Sequence, residues 1–250
     1  MNTKVVYIAD IDQDIDDIVA VEYLNNLGVL QEIVLDPKPS SKEGRGRVEL
    51  LKKQGIKVSE NIPQGTAIVF VGGALTAVTN YLRFGGKLNL LVINGGFVGD
   101  NIVPRDNQLQ KFKGKKFVRT FNFNIDVFST AYVLKSKESQ VKKIVLVGKN
   151  VCHSIKNTKL GIWKKSNLIP VLEKYHVRED KRQHDVLMCH EGLAISGLSP
   201  EPLFCAYEEV YPTTLEGLKG NMTQWGSTKN IKNTEYRMVI SAVRFQEQEG

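Results

Sequence analysis

The sequence has few cysteines and no long apolar run, and both absences narrow the class of protein. Cys152, Cys189 and Cys205 are odd in number and lack the close spacing of a metal-binding set, so reduced thiols are expected. No apolar stretch reaches about 18 residues, the length needed for a membrane-spanning helix. Because the first apolar strand begins within a few residues of Met1, a signal peptide is not expected either. We therefore predict a cytoplasmic protein without a membrane partner.

The chain also lacks a linker, a low-complexity tract and an internal repeat. Its 250 residues are enough for one substantial core, and we predict a single domain over residues 1–250. The net charge is +7, with lysines concentrated in residues 111–116 and 142–165. A basic surface can attract nucleic acid or anionic metabolites. Since no motif for binding RNA or DNA accompanies these lysines, we interpret them as solvated surface and do not expect nucleic acid as the partner.

Apolar runs alternate with helical patterns through the first half of the chain. This β-then-α order is typical of an α/β protein with an open, mostly parallel sheet and helices on both faces. Strands are predicted at residues 5–9, 32–35, 67–71, 90–93 and 143–147, and helices at 16–27, 42–54, 75–83 and 126–134. The less regular second half predicts helices at 160–173 and 185–194 and a strand at 236–245.

Five aspartates lie within eight residues directly after the first predicted strand. Like charges repel one another, so a fold that clusters carboxylates needs a cation or hydrogen-bond donors beside them. This position is the carboxyl edge of the sheet, where open α/β proteins bind their ligands. Carboxylate oxygens are the ligands that Ca²⁺ and Mg²⁺ prefer. The five residues are Asp10, Asp12, Asp14, Asp16 and Asp17.

Three simpler explanations account for these aspartates less well. A calcium loop of the helix–loop–helix type requires glycine where Ile15 stands and a bidentate glutamate where Val21 stands. A D-x-D pair also occurs in phosphatases of the haloacid dehalogenase type, but an Asp-Asp pair at the start of the next helix does not belong to that pattern. An acidic first helical turn explains the last two aspartates but not the first two.

The segment from Asp10 to Asp17 resembles the D-x-D-P-G-x-D-D motif of the inosine–uridine nucleoside hydrolase family. The resemblance covers nearly the whole chain, and the aspartate motif is its most specific part. It implies the α/β fold of that family and calcium-dependent hydrolysis of the N-glycosidic bond of a ribonucleoside, giving ribose and free base. The other similar segments are Val71-Gly72-Gly73-Ala74-Leu75-Thr76, Asn94-Gly95-Gly96, Asn101, Phe121-Asn122-Phe123, residues 147–153 and His184-Asp185.

The resemblance also implies roles for individual groups. Asp12, Asp17 and Asp185 are the expected Ca²⁺ ligands, joined by the backbone carbonyl of Val71 or of Gly72. Asp12 is the expected general base, and His184 is the expected proton donor to the leaving base. The expected partner is a small-molecule nucleoside, and the expected assembly is a homodimer or a homotetramer. The ribose would be bound by Asp16, Asn101, Asn122 and Asp185, with Asp10 as a supporting carboxylate.

The sequence departs from the family motif at positions that bear on catalysis. Gln13 and Asp14 replace Pro-Gly, and Thr120 replaces a glutamate that contacts the 5′-hydroxyl in the family. These changes favour an alternative, a non-catalytic homologue that binds ribose or a nucleoside. Two further histidines and three large aromatic side chains are predicted to be structural: His153, His190, Trp163, Tyr175 and Trp225.

Overall fold

The computed structural model describes residues 4–12, 15–153, 184–215 and 223–246. The predicted helix at 160–173 lies outside these residues, as do Asp14, Trp163 and Tyr175. The strands are β1 (Val5–Ala9), β2 (Leu30–Leu35), β3 (Val58–Ser59), β4 (Ile68–Val71), β5 (Leu88–Asn94), β6 (Phe117–Val118), β7 (Val141–Val147), β8 (Cys205–Leu215), β9 (Gln224–Thr228) and β10 (Val239–Phe245). The α-helices are α1 (Asp16–Asn26), α2 (Lys42–Lys53), α3 (Thr76–Arg83), α4 (Phe121–Ile125), α5 (Val127–Leu134), α6 (Lys149–Cys152) and α7 (His184–Ser196).

The described strands form one sheet in the order β3-β2-β1-β4-β5-β7-β10-β8-β9-β6. Neighbouring strands are parallel from β3 to β10, whereas β8, β9 and β6 extend the sheet in antiparallel pairs. The predicted fold class, an α/β protein with an open and mostly parallel sheet, is therefore confirmed. The chain runs outward from β1 through β2 to β3 and then returns to β4 on the other side of β1. This reversal opens a crevice at the carboxyl ends of β1 and β4, the usual ligand site of such sheets.

Alternate residues of β1 contribute to two separate cores, one on each face of the sheet. Val5 and Tyr7 pack in one core with residues of α1 and α7, while Val6 and Ile8 pack in the other with residues of α3 and α5. All five residues of β1 are buried, as expected for a central parallel strand that is covered on both faces. Helices α1 and α7 pack against each other on the same face, which brings their first turns together.

The predicted strands and helices of the first half agree with the structure to within two residues at each end. The strand predicted at 236–245 begins at Val239, and α7 extends the predicted helix at 185–194 by up to two residues at each end. The antiparallel extension formed by β8, β9 and β6 was not predicted. In the part of the chain that the structure describes, no helix has both the length and the apolar character to cross a membrane.

Candidate functional site

Three buried carboxylates meet at the crevice between β1 and β4. Asp16 and Asp17 are the first two residues of α1, and Asp185 is the second residue of α7. One carboxylate oxygen from each residue lies within 4.8 Å of the others. Because α1 and α7 both begin at the carboxyl edge of the sheet, residues far apart in the sequence converge here.

Buried neighbours hold this carboxylate cluster in place. The Tyr7 hydroxyl donates a hydrogen bond of 2.7 Å to Asp17 Oδ1, and the Asn94 amide donates one of 2.7 Å to Asp185 Oδ1. Gly72 follows β4 and lies against both carboxylates, since a Cβ at this position would be 2.7 Å from Asp17 Oδ1 and 2.9 Å from Asp185 Oδ1. Glycine is therefore the residue that lets β4 end this close to the cluster.

Burial raises the pKa of all three carboxyls, and their mutual repulsion adds to the effect. The pKa of Asp16 rises to about 6. The pKa values of Asp17 and Asp185 are raised well above their ordinary range, first by burial and next by the charge of a neighbouring aspartate. A helix dipole stabilises a carboxylate by only about 0.3–1 kcal/mol, whereas removing one ion from water costs several kcal/mol. Three ionised carboxylates at this position therefore need a cation.

The donor set fits a hard divalent cation. Oxygens that bind one Ca²⁺ at about 2.3–2.6 Å lie at most about 5 Å from one another, as the carboxylate oxygens of the cluster do. A fourth carboxyl, that of Asp10, is buried beside them, and its Oδ1 has no hydrogen-bond partner among the described residues. Asp16, Asp17 and Asp185 are the candidate ligands, and Asp10 adds an acceptor close to them.

A cavity of about 320 Å³ lies over the cluster, within the size range of small-molecule sites. Asp10, Gly72 and the three clustered aspartates form part of its wall. The rest of the described wall combines amides, imidazoles, one ammonium group and one aromatic ring. These groups belong to Asn94, Asn122, His153, His184, Lys149 and Phe121.

Two imidazoles lie side by side at the cavity. His184 begins α7 and lines the cavity, as its predicted role requires. The sequence predicts a structural role for His153, but the structure places it in the cavity wall, with its ring centroid 4.6 Å from that of His184. His190 is fully buried, where its Nε2 lies 3.0 Å from the Pro202 carbonyl oxygen and its ring stacks on Phe204. This is the structural role predicted for His190.

Asp12 lies apart from the cluster, contrary to its predicted position. Its carboxylate accepts hydrogen bonds of 2.5–3.2 Å from the backbone N–H and hydroxyl groups of Ser40 and Ser41. Although desolvation acts to raise the pKa of Asp12, these hydrogen bonds lower it to about 2. Asp12 is also absent from the described residues that line the cavity. The structure therefore does not bring Asp12 to the predicted ligand set or to the position of a general base.

The two asparagines predicted to bind ribose have different surroundings. The Asn122 amide lines the cavity and donates to the carbonyl oxygens of Gly72 and Asn94, at 2.7 and 2.9 Å. Asn101 instead donates to a backbone carbonyl of β9, at 2.7 Å, and is not among the described cavity residues. Of the two backbone carbonyls predicted as metal ligands, that of Gly72 belongs to a cavity residue, whereas Val71 does not line the described cavity.

Three cavity residues, Asn94, Lys149 and Phe121, are not predicted as site residues from the sequence. Asn94 ends β5 and Lys149 follows β7 at the same sheet edge. Because both residues come directly after predicted strands, the sequence could have indicated that they lie at the edge of the sheet where the site is. Phe121 is 56 % exposed, and no pattern in the sequence indicated that exposure. Trp225 is fully buried and packs edge-on against Phe123, as predicted for a core residue.

No protein-family model matches this chain. The chain is similar to an uncharacterized protein of Aquifex aeolicus (strain VF5), with 28 % identity over 212 residues. The aligned region covers 81 % of this chain and 66 % of the Aquifex protein, so this chain spans just under two thirds of that relative's length.

Proposed function

We propose that the protein hydrolyses the N-glycosidic bond of ribonucleosides and depends on Ca²⁺ held by Asp16, Asp17 and Asp185. The observation that carries this proposal is the buried three-carboxylate cluster, which lies at the wall of a cavity of about 320 Å³. The resemblance of the aspartate motif to nucleoside hydrolases supports the same chemistry. A bound Ca²⁺ would offset the charge of the carboxylates and acidify a water molecule.

The clustered carboxylates suit the vicinal hydroxyls of ribose. Hydroxyl groups donate to carboxylate oxygens in short, charge-assisted hydrogen bonds. We assign Asp16 to the 2′-hydroxyl and Asp185 to the 3′-hydroxyl, which directs the base away from the cluster. The Asn122 amide stabilises this wall because it ties the ends of β4 and β5 together through Gly72 and Asn94.

Asp10 takes the role of general base, because Asp12 lies outside the cavity. Its buried carboxyl lines the cavity and carries an oxygen without a partner among the described residues. Burial raises the pKa of Asp10 above its ordinary value, which brings a carboxylate closer to the pKa that suits proton abstraction near neutral pH. The attacking water gives its proton to Asp10 as its oxygen bonds to C1′.

The departing base needs a proton and a surface to pack against. His184 and His153 lie together in the cavity wall, and an imidazole titrates near neutral pH. His184 donates a proton to a base nitrogen as the C1′–N bond breaks. The exposed ring of Phe121 lines the same cavity and offers a stacking surface for a flat base.

The test is release of free base from a panel of purine and pyrimidine ribonucleosides, followed by chromatography. Turnover should cease on chelation and return with added Ca²⁺. Asp185→Asn should lower kcat/KM by about 100-fold or more. Asp12→Asn is the matched control, and it should change kcat/KM by less than about threefold because Asp12 is outside the cavity. A protein that binds Ca²⁺ but releases base from none of the nucleosides would disprove the proposal. An equal loss of kcat/KM in both variants would instead indicate that Asp12 belongs to the active site.

A second candidate function is binding of ribose or a nucleoside without hydrolysis. The position of Asp12 favours it, since the resembling family uses this aspartate as its general base and the structure holds it at Ser40 and Ser41. This candidate predicts calcium-dependent binding of nucleosides in titration calorimetry without release of free base. Any measurable turnover that Asp185→Asn abolishes rejects it.

A further inference from the structure

Lys149 brings a positive charge to a cavity whose other charged groups are mainly acidic. It directly follows Gly148 at the carboxyl end of β7, and it is the only lysine or arginine among the described residues that line the cavity. Its side chain is partly buried, and no carboxylate of the described residues forms an ion pair with it. Burial alone lowers the pKa of Lys149, without a contribution from a neighbouring charge. The ammonium group therefore does not serve as the counter-charge of the carboxylate cluster.

An ammonium that is partly removed from water without a counter-charge has lost favourable hydration. An anionic group on a ligand would compensate that loss, and a lysine provides three donors on a flexible stem that suit phosphate oxygens. A second lysine, Lys111, lies outside the described cavity wall but close to His153, one of its residues. His153 follows at the end of α6 with its ring 5.6 Å from that of Phe112, and the Lys111 ammonium lies 4.9 Å from the same ring.

The chemistry of ribose limits where the anionic group can be attached. A ribonucleoside carries its base on C1′ and three hydroxyls, on C2′, C3′ and C5′. The proposed function directs the 2′- and 3′-hydroxyls to Asp16 and Asp185, where a phosphate would be repelled by the carboxylates. The 5′-oxygen is the position that remains for a group extending toward Lys149.

We propose that the cavity takes ribonucleoside 5′-monophosphates, with Lys149 binding the 5′-phosphate. This inference rests on the proposed function, because it names the substrate class of the same site. Water adds its oxygen to C1′, the C1′–N bond breaks with its electron pair going to the base, and the base takes up a proton. The phosphate ester is unchanged, so the products are free base and ribose 5-phosphate.

The kinetic test compares kcat/KM for each nucleoside with that for its 5′-monophosphate. The unmodified protein should prefer the monophosphate by about ten- to a hundredfold, the contribution of a charge-assisted hydrogen bond. Lys149→Met should bring the ratio of the two values close to one. Lys143→Met is the matched control, since Lys143 is an exposed residue of β7, the strand that precedes Lys149, and this variant should keep the original ratio. Turnover of nucleosides without a phosphate preference, or a preference that Lys149→Met leaves intact, overturns the inference but leaves the hydrolase proposal standing.

A binding test separates this inference from the hydrolase proposal. In titration calorimetry with Ca²⁺, ribose 5-phosphate should bind about tenfold or more tightly than ribose, and Lys149→Met should remove the difference. If no nucleoside or nucleotide is hydrolysed but this difference is found, the hydrolase proposal fails and the phosphate site stands. A nucleoside with a carboxylate on its base is a further ligand for this comparison. A Lys149-dependent preference for that compound over the monophosphates would overturn the assignment to the 5′-phosphate.

Discussion

Replacing Gly72 with alanine tests whether the end of β4 lies against the carboxylate cluster. The added Cβ would lie 2.2 Å from the Tyr7 hydroxyl oxygen, 2.7 Å from Asp17 Oδ1 and 2.9 Å from Asp185 Oδ1, well inside ordinary contact distances. Neither carboxylate can easily move away, because Tyr7 and Asn94 hold them through hydrogen bonds of 2.7 Å. We expect this overpacking to lower the free energy of unfolding by about 1–3 kcal/mol. The displaced carboxylates should also bind Ca²⁺ more weakly.

Urea unfolding with and without Ca²⁺, followed by circular dichroism, measures both effects. If the site binds the ion, Ca²⁺ at 100 times its Kd raises the free energy of unfolding of the unmodified protein by about 2.7 kcal/mol. Gly72→Ala should lose most of this gain. The control is Gly46→Ala, because a Cβ at Gly46 would meet nothing within 4 Å. As an exposed position in α2, it should gain about 1 kcal/mol from helix propensity and keep its full response to Ca²⁺. Normal stability and a full calcium response in Gly72→Ala would refute the packing described here.

Three further predictions concern pH, the cavity wall and the stacking surface. Burial raises the pKa of Glu191 to about 7. The folded state therefore keeps a proton that the unfolded state loses at about pH 4.3. The free energy of unfolding falls as the pH rises between these two values. Glu191→Gln should flatten this fall, which amounts to at most about 4 kcal/mol, and an unchanged slope in urea titrations across this range would contradict the raised pKa of Glu191. Asn122→Ala removes two hydrogen bonds that tie β4 to β5 and should lower the free energy of unfolding by about 1–3 kcal/mol; a smaller loss would mean that water replaces the amide. Phe121→Ala should change stability by less than about 0.5 kcal/mol but raise the KM for nucleosides about three- to tenfold, and an unaltered KM would exclude stacking on this ring.

The parallel part of the sheet was predictable because its signals are local. The apolar run Val5–Ala9 is buried at every residue, and such runs are typical of strands covered on both faces. The antiparallel extension lacks this signal. In β8, Glu208 and Glu209 alternate poorly with apolar residues, and only some of the strand is buried. Its position depends on pairing with β10 and β9, which are distant in sequence, and strand preference of this kind follows tertiary context.

The positions of site residues could be predicted where the residues begin a helix, but not where they lie in loops. Asp16, Asp17 and Asp185 each lie in the first turn of a helix, so strand and helix patterns place them at one sheet edge. The direction of the Asp12 side chain depends on donors from Ser40 and Ser41, beyond β2, which the spacing of the aspartates cannot reveal. The sequence predicts that Lys149 belongs to a solvated lysine stretch, because charge patterns do not show that one member of the stretch follows a buried strand into a cavity.

The energetics of the carboxylate cluster favour a ligand-binding role over a structural one. Replacing buried charges with apolar residues of similar size is often neutral or stabilising, so folding alone does not require three buried aspartates. In the described part of the chain, no lysine or arginine pairs with Asp16, Asp17 or Asp185. The hydrogen bonds from Tyr7 and Asn94 hold two of these carboxylates together despite their repulsion. An arrangement that costs stability and fixes oxygen donors in advance is expected where a cation completes the site.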